Sequence, residues 1–212
     1  MSAKQLLAAL FEADLKLREA EASLLAESDQ DELARVIEQA TEQALTGRPP
    51  DDDDDAARLL RLADLCAQVQ GPRTADTLLR ILNHSSPEVR VAAGEALRDF
   101  AYDRYAEVAR AIERAFERDV KGPCPQEVPW ILAEIGEPSA VPLIARCLRH
   151  SDVEVVASGI EALAEIGDAE TITLLAPLAS DTRVVQLEEG EAGYSTTIGE
   201  LATEAIGELE AR

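Results

Sequence analysis

Aromatic side chains are scarce, seven in 212 residues: Trp130, three Tyr and three Phe. Strands draw on aromatic and β-branched residues, so this scarcity argues against a β-sandwich or barrel. Basic residues are also few, 20 Lys and Arg against 42 Asp and Glu, which leaves a formal charge of −22. Nucleic acids and anionic membranes are held by Lys and Arg, so neither is expected as a ligand. No apolar run approaches the ~20 residues that span a bilayer. The N-terminus mixes polar with apolar residues and offers no cleavage site, so no signal peptide is expected. Cys66, Cys124 and Cys147 form neither a disulfide framework nor a C-x-x-C pair, which fits a reduced, cytoplasmic protein. Nucleophile-elbow, phosphate-loop, dinucleotide and zinc-protease motifs are all missing. No catalytic residue, metal or cofactor is therefore expected.

What the chain does have is apolar content, 46% of its residues, enough to bury a core. These residues recur at three- and four-residue spacing almost throughout, which predicts an all-α protein. Residues ~2–27 and ~30–46 read as two long amphipathic helices, stopped by Gly47 with Pro49-Pro50 beyond. This pair, 1–47, is either a cap or a separate module. The run Asp51–Asp55 lacks the alternation and Gly turn of a calcium loop, so 48–55 reads as a solvated acidic linker whose last Asp residues cap the next helix. From Ala56 to Arg212 the helices shorten and are punctuated regularly by Gly, Pro and Ser-Asp breaks.

Four helix endings superpose without gaps: Glu95-Ala-Leu-Arg-Asp-Phe100, Trp130-Ile-Leu-Ala-Glu-Ile135, Glu161-Ala-Leu-Ala-Glu-Ile166 and Glu204-Ala-Ile-Gly-Glu-Leu209, at offsets of 35, 31 and 43 residues. Leu82–Arg90 matches Leu148–Val156 at an offset of 66, the total of the first two. A chain with such a period stacks like units, because one helix pair cannot bury its apolar stripe alone. His84 and His150 occupy the same repeat position, the end of a first (A) helix just before the cap of a second (B) helix, which is a structural role. Cys124, in Gly122-Pro-Cys-Pro125, sits at a helix N-terminus that would stabilise a thiolate, yet it aligns with Val155 of the apolar stripe and reads as buried. Cys66 and Cys147 lie on apolar faces.

The segments Pro87-Glu-Val-Arg-Val-Ala-Ala-Gly-Glu-Ala-Leu-Arg-Asp-Phe100 and Val153-Glu-Val-Val-Ala-Ser-Gly-Ile-Glu-Ala-Leu-Ala-Glu-Ile-Gly167 resemble the B helix of HEAT repeats, particularly the bacterial phycocyanobilin-lyase-type HEAT-like group. The resemblance covers 74–100 and 137–180 most closely and is absent from 1–55. It implies a right-handed α-solenoid of antiparallel helix pairs with the B helices on the concave side. Val156, where the pattern has Arg, departs from the Arg–Asp ladder of many members. Relatives that attach bilins or excise alkylated DNA bases raise an enzymatic alternative. No bilin-binding residue is identifiable, however, and DNA would need a cationic groove.

Two features bear on function. On the B helices, two rows should run across the stack on the flank of the core stripe. One is Glu95, Trp130, Glu161 and Glu204, and the other is Asp99, Glu134, Glu165 and Glu208. Seven carboxylates and one Trp on a shared surface suggest a non-catalytic scaffold or adaptor for a basic protein partner, with Trp130 as an anchor. An inhibitory or immunity-type protein masking a cationic enzyme or toxin would use the same surface. The plain alternative is a solvated flank in an acidic protein. The second feature is a 12-residue excess in the last repeat. Within 183–198, Val184, Val185 and Leu187, then Gly190 and Gly193, then Tyr194–Ile198 predict a small β-hairpin that either binds or seals the end of the stack. It lies in the most acidic stretch, 151–212, where 14 acids face Arg183 and Arg212 alone.

Overall fold

Most of the described helices begin where the sequence supplies a capping side chain or a proline. The computed structural model describes residues 1–46, 53–189 and 192–212. Its helices are α1 (Ala3–Glu27), α2 (Gln30–Leu45), α3 (Asp53–Gln68), α4 (Pro72–Leu82), α5 (Pro87–Glu117), α6 (Pro123–Ile135), α7 (Ala140–Cys147), α8 (Val153–Ile166), α9 (Ile172–Leu175, between two 3₁₀ turns) and α10 (Ile198–Ala211). Ser2 and Thr197 form capping boxes at α1 and α10, and Asp29 and Asp152 cap α2 and α8. Pro opens α4, α5 and α6, where its missing N–H costs nothing. The expected stop at Gly47 and most of the acidic linker lie outside the described residues. Helix α3 begins within the acidic run, at Asp53.

The architecture is an all-α solenoid carrying one small hairpin. Helices α3, α5, α6, α8 and α10 pack on one another in that order, and α2, α4, α7 and α9 pack against them. A continuous core of Leu59, Leu78, Leu97, Leu132, Ile160 and Leu163 runs through the stack, all of them inaccessible to solvent. Each such Leu or Ile contributes about 1.5–3 kcal/mol by leaving water. The small residues Ala93, Gly94, Gly159 and Ala162 are buried at the helix contacts, and a Cβ on Gly159 would come within 3.0 Å of Cys147.

Helix α5 departs from the expected pair-by-pair punctuation. Residues 87–117 run as one helix with a kink at Arg104 (φ −138°, ψ 35°), instead of two helices parted by a turn. The cause is at the repeat position that ends α6 and α8. There Gly136 and Gly167 adopt the left-handed conformation (φ +70° and +74°) that closes a helix. The equivalent residue after Phe100 is Ala101, which resists that conformation and is buried, so the chain stays helical and bends three residues later.

Loops between the repeats are fixed by polar side chains. Asn83 donates to the Lys121 carbonyl (2.9 Å) and accepts the Cys124 N–H (3.0 Å), pinning the loop into α6. Gly122 there has φ +107°, and a Cβ would meet Asn83 Oδ1 at 2.6 Å. The two histidines perform one task. His84 Nδ1 accepts the Ser86 N–H and His150 Nδ1 accepts the Asp152 N–H, both at 3.1 Å, so each imidazole closes the turn into the next helix. The carbonyls of the same residues accept from Arg90 (3.3 Å) and Arg183 (3.2 Å). Arg90 also reaches Glu127 on α6 (3.1 Å); one repeat later, where Val156 replaces Arg, Gln126 donates instead to Glu154 on α8 (2.6 Å).

The hairpin forms where the excess residues fall, between α9 and α10. Strands β1 (Val184–Glu189) and β2 (Ala192–Thr197) pair antiparallel from Val184↔Thr197 to Glu189↔Ala192; the Gly190 turn lies outside the described residues. Strand β1 packs on α8 and β2 on α10. Val185 enters the core and Leu187 packs against it, while Val184 and Tyr194 remain exposed. Arg183 anchors the base by gripping Asp181 (2.7 Å), which holds the Asp181 carboxyl below the usual carboxylate range.

Candidate functional site

The flank of the B helices is built from the i, i+4 positions that the core stripe leaves over. Glu95 and Asp99 on α5, Trp130 and Glu134 on α6, Glu165 on α8, and Glu204 and Glu208 on α10 are all exposed, and Glu161 on α8 is half-buried. Consecutive B helices pack directly on one another. Trp130, at 38% exposure, keeps part of its ring in solvent at the middle of the first row.

The eight positions differ in what they have available to offer a partner. Arg98 on α5 pairs with Glu134 on α6, so that carboxylate is engaged across the helix interface. Among the described residues Glu161 has no hydrogen-bond or ion-pair partner. Burial alone raises its pKa above the ordinary glutamate value. Glu95 and Asp99 face an open cleft of about 380 Å³ between α1, α3 and α5, together with Glu21, Arg61, Asp64 and Gln68. Arg61 takes Glu21 at 2.9 Å and Asp64 at 3.6 Å. Glu204 borders a different cleft, of about 490 Å³, formed by 179–182 and the start of α10.

The cleft on α3 adds residues that the repeat alignment did not reach. Asp64 and Gln68 stand 31 residues before Glu95 and Asp99, and Asp64-Leu-Cys-Ala-Gln-Val69 aligns without gaps to Glu95-Ala-Leu-Arg-Asp-Phe100. Buried Leu65, Cys66 and Val69 then match buried Ala96, Leu97 and Phe100. The signal was present in the sequence. Cys66 and Val69 replace the Leu and Phe of the motif, and that hid it.

Among the described residues no group of three or more His, Cys, Asp or Glu side chains is placed to hold a metal ion. Cys66, Cys124 and Cys147 are buried free thiols, each pushed up to about 12 by burial, so the helix N-terminus does not make Cys124 a thiolate. No described helix is long and apolar enough to cross a membrane. On the A-helix side, a cleft of about 300 Å³ is lined by Leu45, Leu79, Ala115, Val120 and Cys124 together with the exposed Arg80 and Arg118.

The match to a known family model agrees with this architecture. Residues 125–191 match the family model for HEAT repeats, which supports a HEAT-repeat family for this chain. No curated protein matches. Among solved structures, a crystal structure of an engineered protein from a structural genomics programme aligns over 91% of this chain and 96% of its own, with 16% identity and a TM-score of 0.36.

Proposed function

We propose that the protein is a non-catalytic scaffold that binds a basic protein surface along the flank of its B helices. HEAT repeats commonly serve as protein-interaction scaffolds. The observation that carries the acidic face is Glu161. This carboxylate is half-buried, has no partner among the described residues, and lies on the helix between those bearing Trp130 and Glu204. A Lys or Arg arriving there supplies the counter-charge that the fold withholds, so the gain is larger than for a fully solvated acid. Trp130 adds apolar burial beside it. Exposed Glu95, Asp99, Glu165, Glu204 and Glu208 steer the encounter, and Glu134 contributes less because Arg98 already engages it.

Capture from the source cell tests this reading. Immobilised wild-type protein retains a basic protein at low ionic strength and releases it at high salt, whereas Glu161→Lys combined with Glu165→Lys retains nothing above background. Equal retention by the charge-reversed variant, or retention that salt leaves unchanged, rejects the surface.

A further inference from the structure

Helix α1 is the part of the molecule whose sequence and surroundings disagree. Residues 1–20 are all exposed, α1 contains no buried residue, and only Glu21, Leu25 and Ser28 at its far end are partly covered. Yet the exposed stretch holds Leu6, Leu7, Leu10, Phe11, Leu15 and Leu17, with Leu10 at 63% exposure and Phe11 at 64%. Such a helix relies on its Ser2–Gln5 capping box and on the Glu12–Lys16 and Asp14–Arg18 pairs, each worth about 0.3–0.5 kcal/mol. Its leucines gain nothing from water.

Three of these side chains, Leu6, Leu10 and Leu17, belong to a pattern that specifies a cover, while Leu7, Phe11 and Leu15 lie off it. Ala3, Leu6, Leu10, Ala13, Leu17, Ala20 and Leu24 follow the alternating three- and four-residue spacing of a coiled-coil seam without a break. At 100° per residue this seam is centred about 60° from Glu21, Leu25 and Ser28, and all seven of its residues are exposed. Large and small residues alternate along it. Two copies side by side in the same direction would stack Ala on Ala at 13 and 20. Running oppositely, they set Leu10 against Ala20, Leu17 against Ala13 and Leu24 against Leu6, each twice, in layers of more even volume.

Charge selects the same arrangement. Lys4 is the only charged side chain in residues 1–11, while residues 19–32 carry six acids and no base. A parallel pair would lay the two acidic stretches together, whereas an antiparallel pair lays each against the Lys4 end of the other. At the centre Lys16 and Asp14 approach their own copies, each already neutralised within its helix by Glu12 and Arg18. Residues 1–20 sum to zero formal charge in a molecule of −22, so this stretch lets two acidic bodies meet without adding net negative charge where they join. We infer that the protein self-associates as an antiparallel dimer through the α1 seam, independently of the acidic rows on the B helices.

Sedimentation of the full chain at about 100 µM reads the association, and disulfide trapping reads its direction. A dimer is expected for the wild type and a monomer for Leu10→Glu with Leu17→Glu, with the thermal transition of the solenoid retained in both. In the trapping experiment, Leu10→Cys chains mixed with Ala20→Cys chains form mixed disulfides faster than either forms its own. A monomeric wild type, a dimer indifferent to the two Glu substitutions, or faster trapping of Leu10→Cys with itself overturns the inference.

Discussion

Glu161 shows at the scale of one residue how this fold holds charge in an unfavourable place. Burial raises its pKa above the ordinary glutamate value, so the folded chain keeps this proton to higher pH than the unfolded chain does. Stability from this group is therefore full at low pH, below the usual carboxylate value, and declines as pH rises through and beyond the raised one. Glu161→Gln removes the effect. The variant melts at a higher temperature than the wild type at pH 7, and the gap closes towards pH 4, as thermal melts across the range would read. A wild type at least as stable as the variant at pH 7 would mean that Glu161 is paired in solution. Asn83 represents the opposite case, a polar side chain that satisfies both the Lys121 carbonyl and the Cys124 N–H. Its role was not legible in the sequence, because both of its partners lie some forty residues away.

Single elements show where sequence reading succeeded and where it failed. The hairpin at 184–197 was legible because two β-branched clusters flank a Gly-rich turn in a surplus stretch, and Val185 in the core makes the base of the insertion part of the stack. The long helix α5 was not anticipated. The repeat endings align equally well at 100, 135 and 166, and only the following residue differs: Ala101 against Gly136 and Gly167. Gly permits the left-handed stop at 136 and 167, and Ala at 101 disfavours it. Ala101→Gly loses helix propensity and a buried methyl at once, so about 1–2 kcal/mol of stability is expected to go, measured by urea denaturation. Helix α3 was missed as a bearer of the rows for a comparable reason, since Cys66 and Val69 stand where the motif has Leu and Phe.

For the whole molecule, the stacking order follows from periodicity alone, because helix pairs with one apolar stripe have to be covered by their neighbours. The rows are a consequence of that order: equivalent positions recur on α5, α6, α8 and α10, and Asp64 and Gln68 extend them to α3. What the sequence could not reveal is which acids are free, since Arg98 meets Glu134 only once the helices are packed. Trp130 is the sole tryptophan, so its fluorescence reports on this surface and no other. The most direct measurement is a titration of the protein with a short Arg- and Lys-rich peptide, followed by that fluorescence at low and high salt. A saturable change that weakens steeply with salt and is lost in Glu161→Lys with Glu165→Lys is expected; an unchanged spectrum at low salt, or the same response from the charge-reversed variant, would contradict binding at this surface.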